Sequence, residues 1–177
     1  MSLKLAAIFK DYMVVQRNRP ITVFGTGVPK TVVTVSLHTS FSKTVVAADG
    51  TWCATLPPLA AGTDYVLTVS DGTTEEQRKQ VAVGEVWLAG GQSNMELGDS
   101  ADGVAVSKAY TGTQIRFYQV PKRAVLDETH QQLEAQSAWK IAAAENVGDL
   151  SAVAFYFAKR LAQKMDCGIG IVDCYWG

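Results

Sequence analysis

A change of hydrophobic period near Gly84 constrains the fold of this chain more than any other feature. From Met13 to Val83 the sequence consists of short β-type runs such as "ITVFG", "TVVTVSL" and "YVLTVS", and turn residues such as Asp49-Gly50 separate them. Strands this short, recurring about every ten residues, are typical of all-β sandwiches and barrels. Residues 1–83 are therefore predicted to form an antiparallel, sandwich-like β module.

The second portion, residues 84–177, has longer and more continuous apolar strands. The runs "EVWLAG", "QIRFYQV" and "GIGIVDCYW" are apolar without alternation, as expected for strands buried on both faces of a parallel sheet. A strand, a helix and a parallel strand must be connected right-handedly. The predicted fold class is thus α/β, a β module followed by the first portion of a doubly wound parallel sheet.

One helix is predicted from about Asp149 to Met165. Asp149 is placed to cap its first amides, and Gly168 to close its far end. Its apolar face follows the i, i+3, i+4, i+7 spacing and consists of Leu150, Val153, Ala154, Phe157, Ala158 and Leu161.

Charge and composition exclude several classes of function. Sixteen basic and seventeen acidic residues give a net charge of -1 without any run of like charge, so no positive field for nucleic acid or an anionic membrane is expected. No segment is long and apolar enough for a membrane span or a secretory signal. The chain is expected to be soluble, secreted or periplasmic if a signal has been removed and otherwise cytoplasmic. The three cysteines form no CxxC pair and no histidine stands at ligand spacing, so neither a metal nor a cofactor is expected.

The stretch "GEVWLAGGQSNM" raises the question of what Ser93 does. It follows a predicted parallel strand, at the carboxyl edge where α/β sheets bind ligands. A helix beginning near Asn94 or Met95 would direct free N–H groups at whatever lies over the hydroxyl. Dinucleotide and P-loop glycine patterns are absent, and Met95 stands where a G-x-S-x-G elbow needs glycine. The residues alone leave two readings open, a helix cap and an attacking group.

Three segments together resemble one family. "GEVWLAGGQSNME" is similar to the nucleophile block of SGNH-type carbohydrate esterases related to sialate O-acetylesterase. "DYMVVQRNRPITVFGTG" with "DGTWCATLPPLAAGTDYVLTV" resembles the β domain that precedes it, and "DLSAVAFYFAKRLAQKMDCGIGIVDCYWG" resembles the helix and strand leading to a Trp-Gly-Gly loop. The resemblance implies a serine esterase that removes O-acetyl groups from carbohydrate, without a cofactor.

The resemblance also implies site residues. Ser93 is the nucleophile and its own N–H one oxyanion donor, while Gly177 supplies a second donor. In that family the base and its acid partner lie in a later Asp-x-x-His segment, which follows an Asn-bearing loop, and neither block stands at the expected place here. Asp127 and His130 have the same spacing, but they lie in a polar connection and are interpreted as a solvated surface decoy. The chain is therefore expected to be the first portion of a longer enzyme, nearly inactive alone.

Other readings remain open. The substrate is an acetylated sialic acid by resemblance, with acetylxylan or another acetylated carbohydrate as the alternative. A non-catalytic carbohydrate-binding module would use Trp52 or Tyr65 as stacking platforms, although both lie in strand-like runs that favour the core. An inactive fragment is the third possibility. Association with a missing C-terminal portion, or with further copies of the chain, is expected from an open sheet edge.

Overall fold

The computed structural model describes residues 2–98 and 111–177. Its first part is a two-layered β sandwich. One layer is an antiparallel sheet of three strands, β1 (Lys4–Leu5), β3 (Ile21–Thr26) and β6 (Thr51–Leu56), in the order β1-β3-β6. The predicted antiparallel β module is confirmed.

The second layer belongs to a larger sheet that continues into the second part of the chain. Its order is β10-β9-β11-β8-β7-β4-β5, and a short strand, β2, pairs with β8 beside this path. The strands are β2 (Val14–Gln16), β4 (Val32–Leu37), β5 (Ser40–Val45), β7 (Gly62–Ser70), β8 (Glu75–Gly91), β9 (Ile115–Gln119), β10 (Trp139–Ile141) and β11 (Ile169–Tyr175).

Strand β8 connects the two parts. Its first half pairs antiparallel with β7, from Glu75 to Val83, and its second half pairs parallel with β11, from Glu85 to Gly91. The change occurs at Gly84, where an added Cβ would lie 2.8 Å from the carbonyl carbon of Gly168. Only glycine permits the backbones to approach this closely. The predicted boundary between residues 83 and 84 thus falls inside one continuous strand, and the division into two domains stays a prediction.

The parallel strands expected in the second part are confirmed. β11 lies between β8 and β9 and pairs parallel with both, while β10 adds an antiparallel edge. The helices are α1 (Ser93–Glu96), α2 (Glu128–Gln136) and α3 (Ala152–Ala162), and a 3₁₀ turn (Val147–Asp149) precedes α3.

Two hydrophobic clusters follow from this arrangement. The first fills the sandwich with apolar side chains that alternate along both layers, among them Val23, Val35, Trp52, Leu56 and Leu67. The second lies between α3 and the parallel strands and includes Phe117, Leu150, Phe155, Ile169 and Ile171. The first cluster buries alternate strand residues, and the second buries whole strand segments. The alternating runs before Gly84 and the continuous apolar runs after it predict this difference.

Helix α3 begins later than the sequence predicted. Asp149 lies in the 3₁₀ turn, Leu150 is extended, and Ser151 is the N-cap whose side chain accepts from the Ala154 N–H. The helix ends at Ala162, so Gly168 is not its terminator. The assignments of Asp149 and Gly168 are wrong because the extended Leu150 separates Asp149 from the helix and because the helix ends six residues before the glycine.

The buried face of α3 is also rotated from the predicted one. Ala154, Phe155 and Ala158 are its buried residues, whereas Val153 and Phe157 are 52% and 41% exposed. The 3.6-residue period identified a helix but did not select which of two adjacent apolar stripes faces the sheet.

Asp49-Gly50 forms the tight turn that these residue types favour, but the hairpin that they indicate between the flanking strands is wrong. Gly50 has φ +85°, and an Asp49 carboxylate oxygen accepts from the Thr51 N–H at 2.9 Å. The strands that it joins belong to different layers, because β5 pairs with β4 and β6 pairs with β3. Within residues 2–98 and 111–177, no helix has both the length and the apolar character needed to cross a membrane.

Candidate active site

Ser93 is the first residue of α1 and is exposed. It follows the carboxyl end of β8, which runs through Gly91. The helix consists of four residues, none of them buried, and its N-cap Gln92 makes no side-chain cap bond. Because Gln92 occupies the N-cap position, Ser93 is not the cap of this helix. Ser93 lies on the rim of the parallel sheet, where a substrate has access.

The end of β11 lies directly against the serine. β11 is the parallel neighbour of β8, and the Trp176 N–H donates to the Gly91 carbonyl at 3.2 Å. A Cβ added to Gly177 would lie 2.6 Å from Ser93 Cα. The structure thus brings together the two residues that the sequence analysis placed in one site, although their roles stay predictions.

The Gly177 N–H is already hydrogen-bonded. It donates to Glu96 Oε2 at 2.8 Å, and the other oxygen of that carboxylate accepts from Lys122, which follows β9. Lys122 and the Gly177 amide together hold the pKa of the Glu96 carboxyl below its usual value. An ionised glutamate therefore links α1 to the end of β11.

A buried carboxylate lies beneath this rim. Asp173 of β11 is 3% exposed, and its Oδ2 accepts from the Tyr175 hydroxyl at 3.2 Å and from the Ser151 N–H at 3.4 Å. Its Oδ1 is buried with no partner among the described residues. Burial raises the pKa of Asp173 to about 6, because the charged form is poorly solvated there.

Ser151 extends this network toward the serine helix. Its hydroxyl donates to the Met95 sulfur at 3.1 Å and accepts from the Ala154 N–H at 3.3 Å. Met95 lies two residues after Ser93 and packs against the second hydrophobic cluster. The N-terminus of α3 thus supports the short helix that carries the candidate nucleophile.

Asp127 and His130 do not form a catalytic pair with each other. Asp127 caps α2, accepting from the backbone N–H of His130 at 2.9 Å, and is ion-paired with Arg123. The His130 imidazole instead faces Glu134, with 3.4 Å between Nε2 and Oε1, and is buried. The interpretation of a solvated segment is wrong for His130, because this side chain packs inward while its neighbours on α2 face solvent.

The proposed stacking platforms of the β module are also occupied. Trp52 is 3% exposed, and its indole N–H donates to the Thr26 carbonyl at 3.0 Å. Tyr65 stacks on His38, with 4.5 Å between ring centroids. Trp52 therefore belongs to the core, as its position in a strand favoured, and offers no surface to a sugar.

A small apolar cavity of about 290 Å³ lies beside the serine helix. Trp87 and Phe157 line it and meet edge to face, with 5.1 Å between centroids. Trp87 is 43% exposed, so part of its ring faces solvent at the edge of this cavity. Among the described residues no cluster of three or more acidic, histidine or cysteine side chains is arranged to hold a metal ion.

Sequence reasoning missed Glu96, Asp173 and Ser151. Glu96 belongs to the quoted serine block, but its partner Gly177 lies 81 residues away in the chain. Asp173 is the one carboxyl residue in the apolar run "GIGIVDCYW", and its position there was the sequence signal for a buried carboxyl group.

Comparisons with known proteins support the resemblance. No family model matches the chain. The sialate O-acetylesterase of Mus musculus is 27% identical over 98% of the chain, and that of Homo sapiens is 26% identical over the same share. The chain covers 36% and 37% of those two proteins.

A solved structure is similar as well. The crystal structure of a novel carbohydrate acetylesterase from Xanthomonas citri matches 98% of the chain with a TM-score of 0.86 and 36% identity, and the chain covers 40% of that protein. The similarity includes both the β sandwich and the parallel strands, so the predicted fold class is confirmed. The chain thus spans about two-fifths or less of the length of these relatives.

Proposed function

We propose that this chain, a homologue of the sialate O-acetylesterases over 98% of its length, is the nucleophile-bearing portion of a carbohydrate O-acetylesterase, with Ser93 as the attacking group. One observation carries the proposal. An exposed serine begins a helix at the carboxyl end of a parallel strand, with the end of the neighbouring strand against it. That geometry places an exposed hydroxyl on the sheet rim, beside its own backbone N–H and the backbone of Gly177.

The reaction follows from these groups. Ser93 Oγ attacks the acetyl carbonyl carbon and its proton passes to a base, while the Ser93 N–H stabilises the negative oxygen of the tetrahedral intermediate. The intermediate collapses as the sugar oxygen leaves with the proton from the base. Water then attacks the acetyl-serine by the same route, releasing acetate and regenerating the hydroxyl.

The Gly177 N–H is the second donor that the resemblance implies. In this structure the Gly177 N–H donates to Glu96. It can donate to an oxyanion only if the oxyanion replaces that carboxylate as the acceptor. Its role as a donor stays a prediction.

The base is proposed to come from outside residues 1–177. Neither histidine of the chain meets Ser93 in the described contacts, since His38 stacks on Tyr65 and His130 faces Glu134. A serine hydroxyl is a weak nucleophile without an adjacent base. Alone, the chain is expected to retain only the small rate contribution of its oxyanion donor and of binding.

The substrate class rests on the relatives. The mouse and human proteins are named for sialate, and the Xanthomonas citri protein for carbohydrate more broadly. We propose an O-acetylated carbohydrate, with acetylated sialic acid first and acetylxylan as the alternative. The rates at which the native polypeptide that carries this sequence releases acetate from these two substrates distinguish the alternatives.

The experiment uses acetylation of the chain itself by p-nitrophenyl acetate, followed by peptide mapping. Ser93 is expected to be acetylated about 100-fold faster than Ser2, which is also exposed but lies in no site, because one oxyanion donor contributes about that factor. Equal rates at the two serines would contradict the proposed function.

A second measurement tests the missing base. The chain is expected to give no stoichiometric burst of p-nitrophenol, and Ser93→Ala should leave the slow release nearly unchanged. A rapid burst that disappears in Ser93→Ala would show that the base lies within these residues. His130→Ala would then establish whether the buried histidine supplies it.

A further inference from the structure

We propose that Glu96 is a positioning residue, which fixes the end of β11 against Ser93 through the Gly177 amide. The inference rests on the proposed function of Ser93 and assigns a role to a side chain that the reaction itself does not require. Its basis is the pair of contacts on the two oxygens of one carboxylate. Oε2 accepts from the Gly177 N–H at 2.8 Å, and Oε1 accepts from Lys122.

The serine helix needs such a support. It has four residues and no buried side chain, and helices this short have little stability of their own. The described contacts that hold it include backbone bonds to Gln92, the packing of Met95 on the second hydrophobic cluster, the Met95–Ser151 contact and the bonds of Glu96. Glu96 is the last residue of α1, so its tether acts at the end opposite Ser93.

The tether reaches the segment that most constrains Ser93. Gly177 lies so close to Ser93 that no side chain fits between them, as shown by the 2.6 Å from a Cβ added to Gly177 to Ser93 Cα. Any displacement of the β11 end therefore changes the space over the serine. A displacement of about 1 Å is enough to slow a reaction by about 100-fold.

Lys122 completes the arrangement from a third element. Its ammonium group pairs with Glu96 and lies 5.1 Å from the centroid of the Tyr175 ring. The Glu96 carboxylate thus joins three segments of the chain, namely α1, the residues that follow β9 and the end of β11. A charged acceptor also forms stronger hydrogen bonds than a neutral one.

The first test is spectroscopic and independent of activity. In the ¹⁵N-labelled chain, hydrogen exchange of the Gly177 amide is expected to be at least about tenfold faster in Glu96→Ala than in the wild type, because the amide loses its acceptor. Glu96→Gln retains a carbonyl oxygen and should restore most of the protection. An unchanged exchange rate in Glu96→Ala would overturn the proposal.

The pH dependence of the Gly177 amide shift gives a second signature. The described groups that also bear on this shift are Lys122, which pairs with Glu96, Tyr175, which interacts with Glu96, and Asp173, which accepts from the Tyr175 hydroxyl. A pH-dependent change of the Gly177 amide shift that is present in the wild type and absent in Glu96→Gln reports the ionisation of Glu96. The same change should persist in Asp173→Asn. Lys122→Gln should raise its midpoint, since Lys122 lowers the pKa of Glu96. An identical titration in the wild type and Glu96→Gln would overturn the proposal.

The acetylation assay connects the tether to the serine. Glu96→Ala is expected to slow acetylation of Ser93 by about 10-fold to 100-fold while leaving Ser2 unchanged. Loss of Gly177 protection without any change at Ser93 would contradict the positioning role. If wild-type Ser93 shows no preference over Ser2, the proposed function fails instead, and the exchange measurement still decides whether the tether exists. Ser93→Ala should keep the Gly177 protection, which separates the two results.

Discussion

The two halves of β8 are held differently, although they form one strand. The first half has β7 along one edge and, at Ala82 to Gly84, β2 along the other. The second half has β11 along one edge, and no strand among residues 2–98 and 111–177 pairs with the other edge from residue 85 onward. Val81, Ala82 and Val83 are fully buried, whereas Leu88 is 71% exposed. The end of the first half, from Val81 to Gly84, is enclosed by the sandwich, whereas the second half reaches the candidate site with an open side.

The two portions also differ in the polar groups that they bury. The described residues with buried polar or charged side chains are Arg116, His130, Ser151 and Asp173. All of them lie after Gly84, and none in the β module. Buried polar groups cost free energy unless they are fully hydrogen-bonded. The second portion therefore accepts the cost of burying polar groups, and two of the four, Ser151 and Asp173, belong to the network beneath the serine helix.

The largest difference is expected between two leucines. Leu67 of β7 is fully buried beside the first half of β8, so Leu67→Ala should lower the free energy of unfolding by about 2–5 kcal/mol. Leu88→Ala on the open half should change it by less than about 0.5 kcal/mol. Urea denaturation of both variants measures the contrast. A large loss in Leu88→Ala would show that the open face is covered in solution.

The buried carboxyl should make stability depend on pH. Because the pKa of Asp173 is raised to about 6 in the fold, its contribution is fully present below about pH 4 and is lost as pH rises through 6. Asp173→Asn is thus expected to be more stable than the wild type at pH 8, by about 1–2 kcal/mol after allowance for solvent screening. The two proteins should converge at pH 4. Urea denaturation across this range checks the sign, and parallel curves would contradict the effect of burial.

A smaller effect tests where α3 begins. Ser151→Ala removes the side chain that caps the Ala154 N–H and should cost about 1 kcal/mol. Asp149→Ala, at the cap that the sequence predicted, removes only an exposed ion pair with Lys140 and should cost about 0.5 kcal/mol or less. Thermal unfolding of the pair gives the order of the two effects. The reverse order would place the cap at Asp149.

Local patterns predicted much of this protein because they depend on neighbouring residues. The alternation in β6 and the continuous apolar run in β11 identified the two kinds of strand. The position of Ser93 after a strand and two glycines placed it on the sheet rim. These inferences need only the periodicity of side chains and the turn preferences of glycine.

Relations between distant segments could be decided only by the tertiary structure. The strands that flank Asp49-Gly50 enter different layers, and α3 buries Phe155 in place of Phe157. Glu96 meets Gly177 across 81 residues. Such choices depend on which surfaces lose water against each other and which polar groups find partners there, and neither is encoded in the spacing of residues along the chain. The sequence by itself determined the element types and the candidate nucleophile, whereas packing decided what supports it.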